Sequence, residues 1–189
     1  TMVTLQTIAS CYTCHRISYP LPAGNLSGRS LYSAPVIGGT ENGKLTLLTT
    51  STESDLNPRF SPDGSLIAYV SGPPGSSHIW VMNSDGSNKR QVTSDAGMQA
   101  WPEWSPDGSR LVYWEYNAAT HKYAIRTIKA DGSSKITIIE TANIVDRPAW
   151  RPDGQYLAYS EERSGNWDIW VARDRKSPRL NSSHGKLTS

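Results

Sequence analysis

Two cysteines and a histidine near the start of the chain have the spacing best suited to cofactor chemistry. Cys11, Cys14 and His15 fit the C-x-x-C-H pattern, in which two thiols bond the vinyl groups of haem c and the histidine ligates the iron. We expect no cofactor, with haem c on these three residues as the alternative. Ile8 to Cys11 also resembles a bacterial lipobox, in which Cys11 would carry a lipid. Cys11 and Cys14 alone do not complete a zinc site, because no second cysteine pair is present.

The rest of the sequence shows no catalytic constellation. It contains no Gly-x-Ser-x-Gly elbow, no phosphate-binding loop and no His-Glu-x-x-His pair. The four histidines are far apart along the chain. The three recurring aspartates, Asp63, Asp107 and Asp153, stand in turn sequences, where a structural role is expected. We therefore predict that the chain is not an enzyme and holds no metal.

One phrase occurs three times along the chain. It reads Phe60-Ser61-Pro62-Asp63-Gly64, then Trp104-Ser105-Pro106-Asp107-Gly108, then Trp150-Arg151-Pro152-Asp153-Gly154, and its prolines are 44 and 46 residues apart. A period of about 40–50 residues with many turns is typical of propeller blades. The extra two residues fall in a loop near 117–121, where insertions are tolerated.

Each repeat encodes four short strands. In the first repeat, 57–60 precede the Pro-Asp-Gly turn, the apolar run 66–70 follows it, and 78–82 and 89–93 supply two more strands between turn signals. Aromatic residues recur at 60, 104 and 150 and at 69, 113 and 159, and we interpret them as packing between blades. The predicted fold is all-β, a β-propeller of four-stranded antiparallel blades.

The repeats resemble those of the TolB-like β-propeller family, which have WD-like Pro-Asp-Gly phrases. Pro102 to Gly108 matches the family phrase throughout, Ile79-Trp80-Val81 and Ile169-Trp170-Val171 match its third strand, and Val92-Thr93 matches its ending. Arg151 departs from the usual serine. The resemblance implies a periplasmic or extracellular binding module with a protein or peptide partner. Similar propellers also occur in prolyl-oligopeptidase-like peptidases and polysaccharide lyases, which is the enzymatic alternative.

The repeats divide the chain into six segments. We expect an irregular arm at 1–29, a partial blade at 30–56, full blades at 57–94, 95–141 and 142–175, and a polar tail at 176–189. Because propellers close with about 4–8 blades, three arrangements stay open. The chain is a fragment of a longer propeller, a four-bladed disc with a degenerate blade, or half of a ring completed by a second copy.

The innermost strand of each blade supplies the candidate binding residues. Arg59, Trp101, Glu103 and Arg147 stand at non-core positions of these strands, and a mixed ring of Arg59, Glu103 and Arg147 suits a peptide or an acidic group. The net charge is +2 with scattered basic residues, which argues against nucleic acid. No apolar run approaches the ~20 residues of a membrane span.

Overall fold

The computed structural model describes residues 16–18, 31–34, 46–50, 53–174 and 185–186. All regular elements in these residues are β-strands, and they form four antiparallel sheets. No helix in this part of the chain has the length and apolar character needed to span a bilayer. The prediction of an all-β chain built from four-stranded antiparallel units is confirmed.

Each sheet consists of strands that follow one another along the chain and pair in that order. Sheet I contains β1 (Arg16–Ser18), β2 (Tyr32–Ala34) and β3 (Thr46–Leu47). Sheet II contains β4 (Leu56–Phe60), β5 (Leu66–Ser71), β6 (His78–Asn83) and β7 (Arg90–Gln91). Sheet III contains β8 (Met98–Trp104), β9 (Arg110–Asn117), β10 (Lys122–Lys129) and β11 (Ile136–Thr141). Sheet IV contains β12 (Val145–Trp150), β13 (Tyr156–Arg163), β14 (Asn166–Arg173) and β15 (Gly185–Lys186).

The Pro-Asp-Gly phrase forms the turn between the first two strands of sheets II, III and IV. In sheet II the amide of Gly64 donates to the Ser61 carbonyl at 2.9 Å, and Gly64 has a φ of 72°. Residues with a side chain rarely adopt such a φ, so glycine is favoured at this position. The Ser61 hydroxyl accepts the amide of Leu66 at 2.9 Å and donates to Asp63 Oδ1 at 2.5 Å. The turn sequence thereby closes the hairpin with its own side chains.

Side chains between neighbouring sheets form three hydrophobic clusters. The second strand of each later sheet contributes an aliphatic residue and a tyrosine to the interface with the sheet before it. These pairs are Ile67 with Tyr69, Leu111 with Tyr113, and Leu157 with Tyr159, and all six side chains are buried. The recurring tyrosines therefore pack between neighbouring sheets, as predicted from the sequence.

Two short strands lie outside the blade boundaries that were predicted from the sequence. β1 lies within 1–29 and pairs with β2, and β15 lies within 176–189 and pairs with β14. Sheet I thus has three described strands, and sheet IV takes its fourth strand from the predicted polar tail. β1 is too short for its periodicity to be recognised from sequence. β15 lies in a Gly-Lys-Leu-Thr run that also occurs at 43–46, which is compatible with a returning outer strand. β4 begins at Leu56, one residue before the predicted boundary.

Candidate binding site on the innermost strands

The first strands of sheets II, III and IV lie side by side, each at the edge of its own sheet. β4 neighbours β8, and β8 neighbours β12. In each of these strands the pairing register shifts at the same place, between Leu56 and Arg59, between Ala100 and Glu103, and between Asp146 and Ala149. Such a bulge bends a strand and redirects its side chains.

The residue at the centre of each bulge has a left-handed backbone. Asn57, Trp101 and Arg147 have φ values of 50°, 54° and 46°, and each precedes a proline. For residues with a Cβ this conformation is unfavourable by roughly 1–2 kcal/mol, yet it recurs in three successive sheets. The same left-handed backbone position therefore recurs in three sheets, and its side chain is an amide in one, an indole in the next and a guanidinium in the third.

Arg59 and Glu103 occupy equivalent positions in neighbouring sheets and form an ion pair. Arg59 Nε lies 2.8 Å from Glu103 Oε2, and both side chains are partly exposed. Arg59 Nη1 also donates to the Pro58 carbonyl at 3.1 Å. Because the pair is already formed, neither charge is presented alone to a ligand, and the mixed ring expected from sequence resolves into pairs.

Arg147 and Trp101 form the second contact between sheets. The Arg147 guanidinium carbon lies 4.9 Å from the centroid of the Trp101 ring, within the range of a cation–π contact. Arg147 Nε lies 3.4 Å from Asp146 Oδ2, and 70% of the Arg147 side chain is exposed. Trp101 is half-buried against the cluster between sheets III and IV. Arg147 thus keeps hydrogen-bonding capacity towards solvent above an aromatic surface.

Trp104 joins sheet III to the first strand of sheet II. Its indole Nε1 donates to the Arg59 carbonyl at 3.0 Å, so a core ring of sheet III holds the backbone of β4 in sheet II. Neither this bond nor the Asp146 contact was expected from the sequence. The recurrence of an aromatic residue at this position indicates packing, but nothing local indicates which carbonyl the indole meets.

The four predicted site residues form two contacting pairs, one between sheets II and III and one between sheets III and IV. The predicted haem residues Cys11, Cys14 and His15 lie outside the described residues. Within the described ranges, no group of three or more His, Cys, Asp or Glu side chains is arranged to hold a metal ion. His78 contacts Gln99 Oε1 at 2.6 Å and His121 contacts the Tyr116 hydroxyl at 3.3 Å.

The repeated sheets and turns have counterparts in known proteins. A family model described as the TolB beta propeller domain matches residues 30–137 and 78–189. The chain belongs to the TolB β-propeller family. The TolB-like resemblance inferred from the Pro-Asp-Gly phrases is confirmed.

This chain matches individual relatives over only part of their length. The Tol-Pal system protein TolB of Alcanivorax borkumensis is 39% identical over 72 residues, which are 36% of this TolB-like chain and 16% of that protein. The TolB structure from Acinetobacter baumannii superposes with a TM-score of 0.72 at 22% identity, covering 92% of this chain and 41% of the other. The chain therefore spans less than half of the length of either relative.

Propellers of enzymes share the fold as well. An oligogalacturonate lyase in complex with manganese superposes with a TM-score of 0.61 at 20% identity, over 81% of this chain and 45% of the lyase. At that identity the likeness shows the fold alone.

Proposed function

We propose that the chain is a non-catalytic interaction module of the TolB type that binds a protein or peptide partner at its rim site. The rim site comprises Asn57, Arg59, Trp101, Glu103 and Arg147 on β4, β8 and β12. The membership of the TolB family and the relatives named as Tol-Pal system proteins support a periplasmic or extracellular setting.

The observation that carries the proposal is the varied chemistry at a constant backbone position. Asn57, Trp101 and Arg147 share one left-handed conformation in three sheets. A purely structural position of this kind favours Gly or Asn, because these residues adopt it at the lowest cost. An indole and a guanidinium there are unfavourable for the backbone, which is consistent with a use beyond folding.

The exposed pair defines the ligand chemistry. Arg147 offers donors suited to a carboxylate, and the Trp101 ring beneath it offers an apolar surface. Trp and Arg are also the side chains that dominate binding energy at protein interfaces. An extended peptide with an acidic group followed by an apolar side chain fits this pair. Arg59 and Glu103 add a neutral, polar boundary on the adjoining sheet.

A peptide array with acidic, neutral and basic members, probed with the purified chain, tests the proposal. We expect acidic–apolar peptides to bind, and Arg147→Ala or Trp101→Ala to weaken them about tenfold, because one charge-assisted or aromatic contact contributes about 1.4 kcal/mol. Arg151→Ala is the matched control. Arg151 also lies over a ring, 4.2 Å from the Tyr156 centroid, but on the turn of sheet IV and outside the rim site.

Binding that is equal in wild type and both rim variants would place the partner surface elsewhere on the molecule. Equal losses in the rim variants and in Arg151→Ala would indicate a general effect of surface arginines. Circular dichroism of each variant separates loss of binding from loss of fold.

A further inference from the structure

A buried ion pair joins sheets III and IV. Arg110 Nη1, at the start of β9, lies 3.0 Å from Asp174 Oδ2, and only 7% of either side chain is exposed. Arg110 Nη2 also donates to the hydroxyl of Thr127 on β10, which is fully buried. Among the ion pairs of the described residues, this one alone connects two sheets with both side chains buried. Arg110, Thr127 and Asp174 are called here the polar triad.

Strand pairing identifies the positions that correspond to the triad at the junction between sheets II and III. Leu66 and Arg110 each begin the second strand of their sheet and pair with the last residue of the third strand. Val81 and Thr127 each stand two residues before the end of that third strand. Ala130 and Asp174 each directly follow the third strand of their sheet. The residues equivalent to the triad are therefore Leu66, Val81 and Ala130.

These equivalent residues are apolar. Val81 belongs to the hydrophobic cluster between sheets II and III, and Leu66 and Ala130 pack against that cluster. The same three positions of the repeat are thus apolar at one junction and hold an ion pair at the next. Burial of two ions has a desolvation cost, and replacing such a pair by apolar residues is often neutral or stabilising. Stability alone therefore does not account for the polar triad.

The two sets of residues are incompatible with each other. If sheet IV packed against sheet II, the Asp174 carboxylate would be buried against Leu66 and Val81 without a cation. If a second sheet III took the place of sheet IV, Arg110 would face Ala130 and would be buried without a carboxylate. A buried charge that has lost its partner is strongly destabilising, so each wrong pairing of sheets is penalised.

We propose that the polar triad determines which sheets pack together, because sheet III presents Arg110 and Thr127 only to a sheet that carries an aspartate directly after its third strand. The triad acts during folding, when similar faces of the repeat compete for one another. Misassembly of this kind is a characteristic failure of repeat proteins. None of the three residues belongs to the rim site, so either proposal can fail without the other.

Transfer of the triad to the junction between sheets II and III is the first test. Ala130→Asp buries a carboxylate without a cation and is expected to lower the folding equilibrium constant at least about 100-fold. Addition of Leu66→Arg and Val81→Thr supplies the missing partners and is expected to recover at least about tenfold of that loss. Urea denaturation measures both effects, and the absence of any recovery overturns the proposal.

Ala130→Asn is the matched control for this transfer, because it has the size of the aspartate without its charge. The same additions, Leu66→Arg and Val81→Thr, are expected to lower the stability of this variant further, since the new arginine then lacks a carboxylate. Equal recovery in the aspartate and asparagine variants would mean that the effect is not one of charge matching, and would overturn the proposal.

Replacement of the triad by the apolar set is the second test. The triple variant Arg110→Leu, Thr127→Val, Asp174→Ala is expected to be at least as stable as the wild type. Arg110→Leu alone is expected to be far less stable, because Asp174 stays buried without its cation. A triple variant that is less stable than the wild type would show that the triad serves stability, and would overturn the proposal.

Refolding of the triple variant measures the choice between sheets. After dilution from urea, size exclusion at several protein concentrations gives the fraction recovered as the native species. We expect this fraction to fall at least about twofold relative to the wild type, because sheet IV then also fits sheet II. The control Lys122→Ala, Glu140→Ala removes an exposed ion pair within sheet III and is expected to refold like the wild type. An unchanged fraction in the triple variant overturns the proposal.

Discussion

Asp63, Asp107 and Asp153 hold the same turn in three sheets, but with different partners. Asp63 and Asp107 each accept a hydrogen bond from the hydroxyl of the serine two residues earlier, at 2.5 Å. Asp153 instead accepts Arg151 Nε at 2.8 Å. In all three turns the carboxylate also accepts a backbone amide two residues later. Hydrogen bonds from Ser61 and Ser65 lower the pKa of Asp63 from 3.8 to about 2.

Asp63→Asn is expected to lower stability in a pH-dependent way. The folded-state pKa of Asp63 is below its unfolded value, so its charged form stabilises the fold above about pH 4, and this contribution is lost as the pH falls towards about 2. The difference in Tm between wild type and variant should therefore be largest near neutral pH and shrink below about pH 4. Thermal melts across this range measure it. A difference that stays constant down to about pH 2 would contradict a role for the charge.

Tyr113 provides a second prediction for a single side chain. Its ring is fully buried, and its hydroxyl has no hydrogen-bond partner among the described residues. Burial and the nearby Glu115 raise the pKa of Tyr113. Tyr113→Phe is expected to leave the free energy of unfolding unchanged or to raise it by up to about 1 kcal/mol, since an unsatisfied polar group is removed. Tyr113→Ala is expected to lower it by about 3–5 kcal/mol through the cavity. Urea denaturation compares the two, and a large loss in Tyr113→Phe would reveal a bound partner.

The innermost strands are the elements that differ most from ideal geometry. β4, β8 and β12 each contain a bulge with a left-handed residue before a proline. Their neighbours β5, β9 and β13 pair continuously with the following strands. Sheets II, III and IV therefore each combine an irregular first strand with continuous pairing of the second and third strands, and sheet III has a further register shift between β10 and β11.

Two substitutions of Arg147 separate backbone from side-chain effects. Arg147→Gly and Arg147→Val both remove the contact with Trp101, but only glycine adopts a φ of 46° without strain. We expect Arg147→Val to be less stable than Arg147→Gly by about 1–2 kcal/mol, measured by chemical denaturation. Equal stabilities would mean that the bulge rearranges when its residue changes.

Local signals explain which of these features are predictable from sequence. The turns at Asp63-Gly64 and Asp107-Gly108 and the apolar runs that follow them depend on neighbouring residues, so the strands and their order are predictable. The bulges at Asn57, Trp101 and Arg147 depend on how a strand meets the next sheet. Partner choice, such as Arg59 with Glu103, depends on the rotation between sheets. Neither has a signature in the local sequence, although the spacing of the repeat places these residues in equivalent positions.

Across the whole molecule, stability comes from repeated contacts between sheets rather than from one central core. Clusters of buried side chains join sheet I to II, II to III and III to IV. Repeat proteins of this type depend on interfaces between neighbours. Equivalent positions in the repeat should therefore differ in energetic weight according to whether a neighbour covers them.

A pair of alanine substitutions measures that difference. Ile125→Ala removes a fully buried side chain and is expected to lower the free energy of unfolding by about 2–5 kcal/mol. Ile169→Ala removes a half-exposed one and is expected to lower it by less than about 1 kcal/mol. Chemical denaturation provides the measurement. A loss for Ile169→Ala as large as that for Ile125→Ala would contradict the prediction.

The replacement of serine by Arg151 bears on how related blades are found in other sequences. Serine in sheet III and arginine in sheet IV anchor the equivalent aspartate of equivalent hairpins, so one can replace the other without loss of the turn. A search pattern that demands serine before Pro-Asp-Gly would overlook sheet IV. Searches for degenerate blades should instead weight the aspartate, the glycine and the tyrosine seven residues after the proline, whose roles no substitute in this chain has taken over.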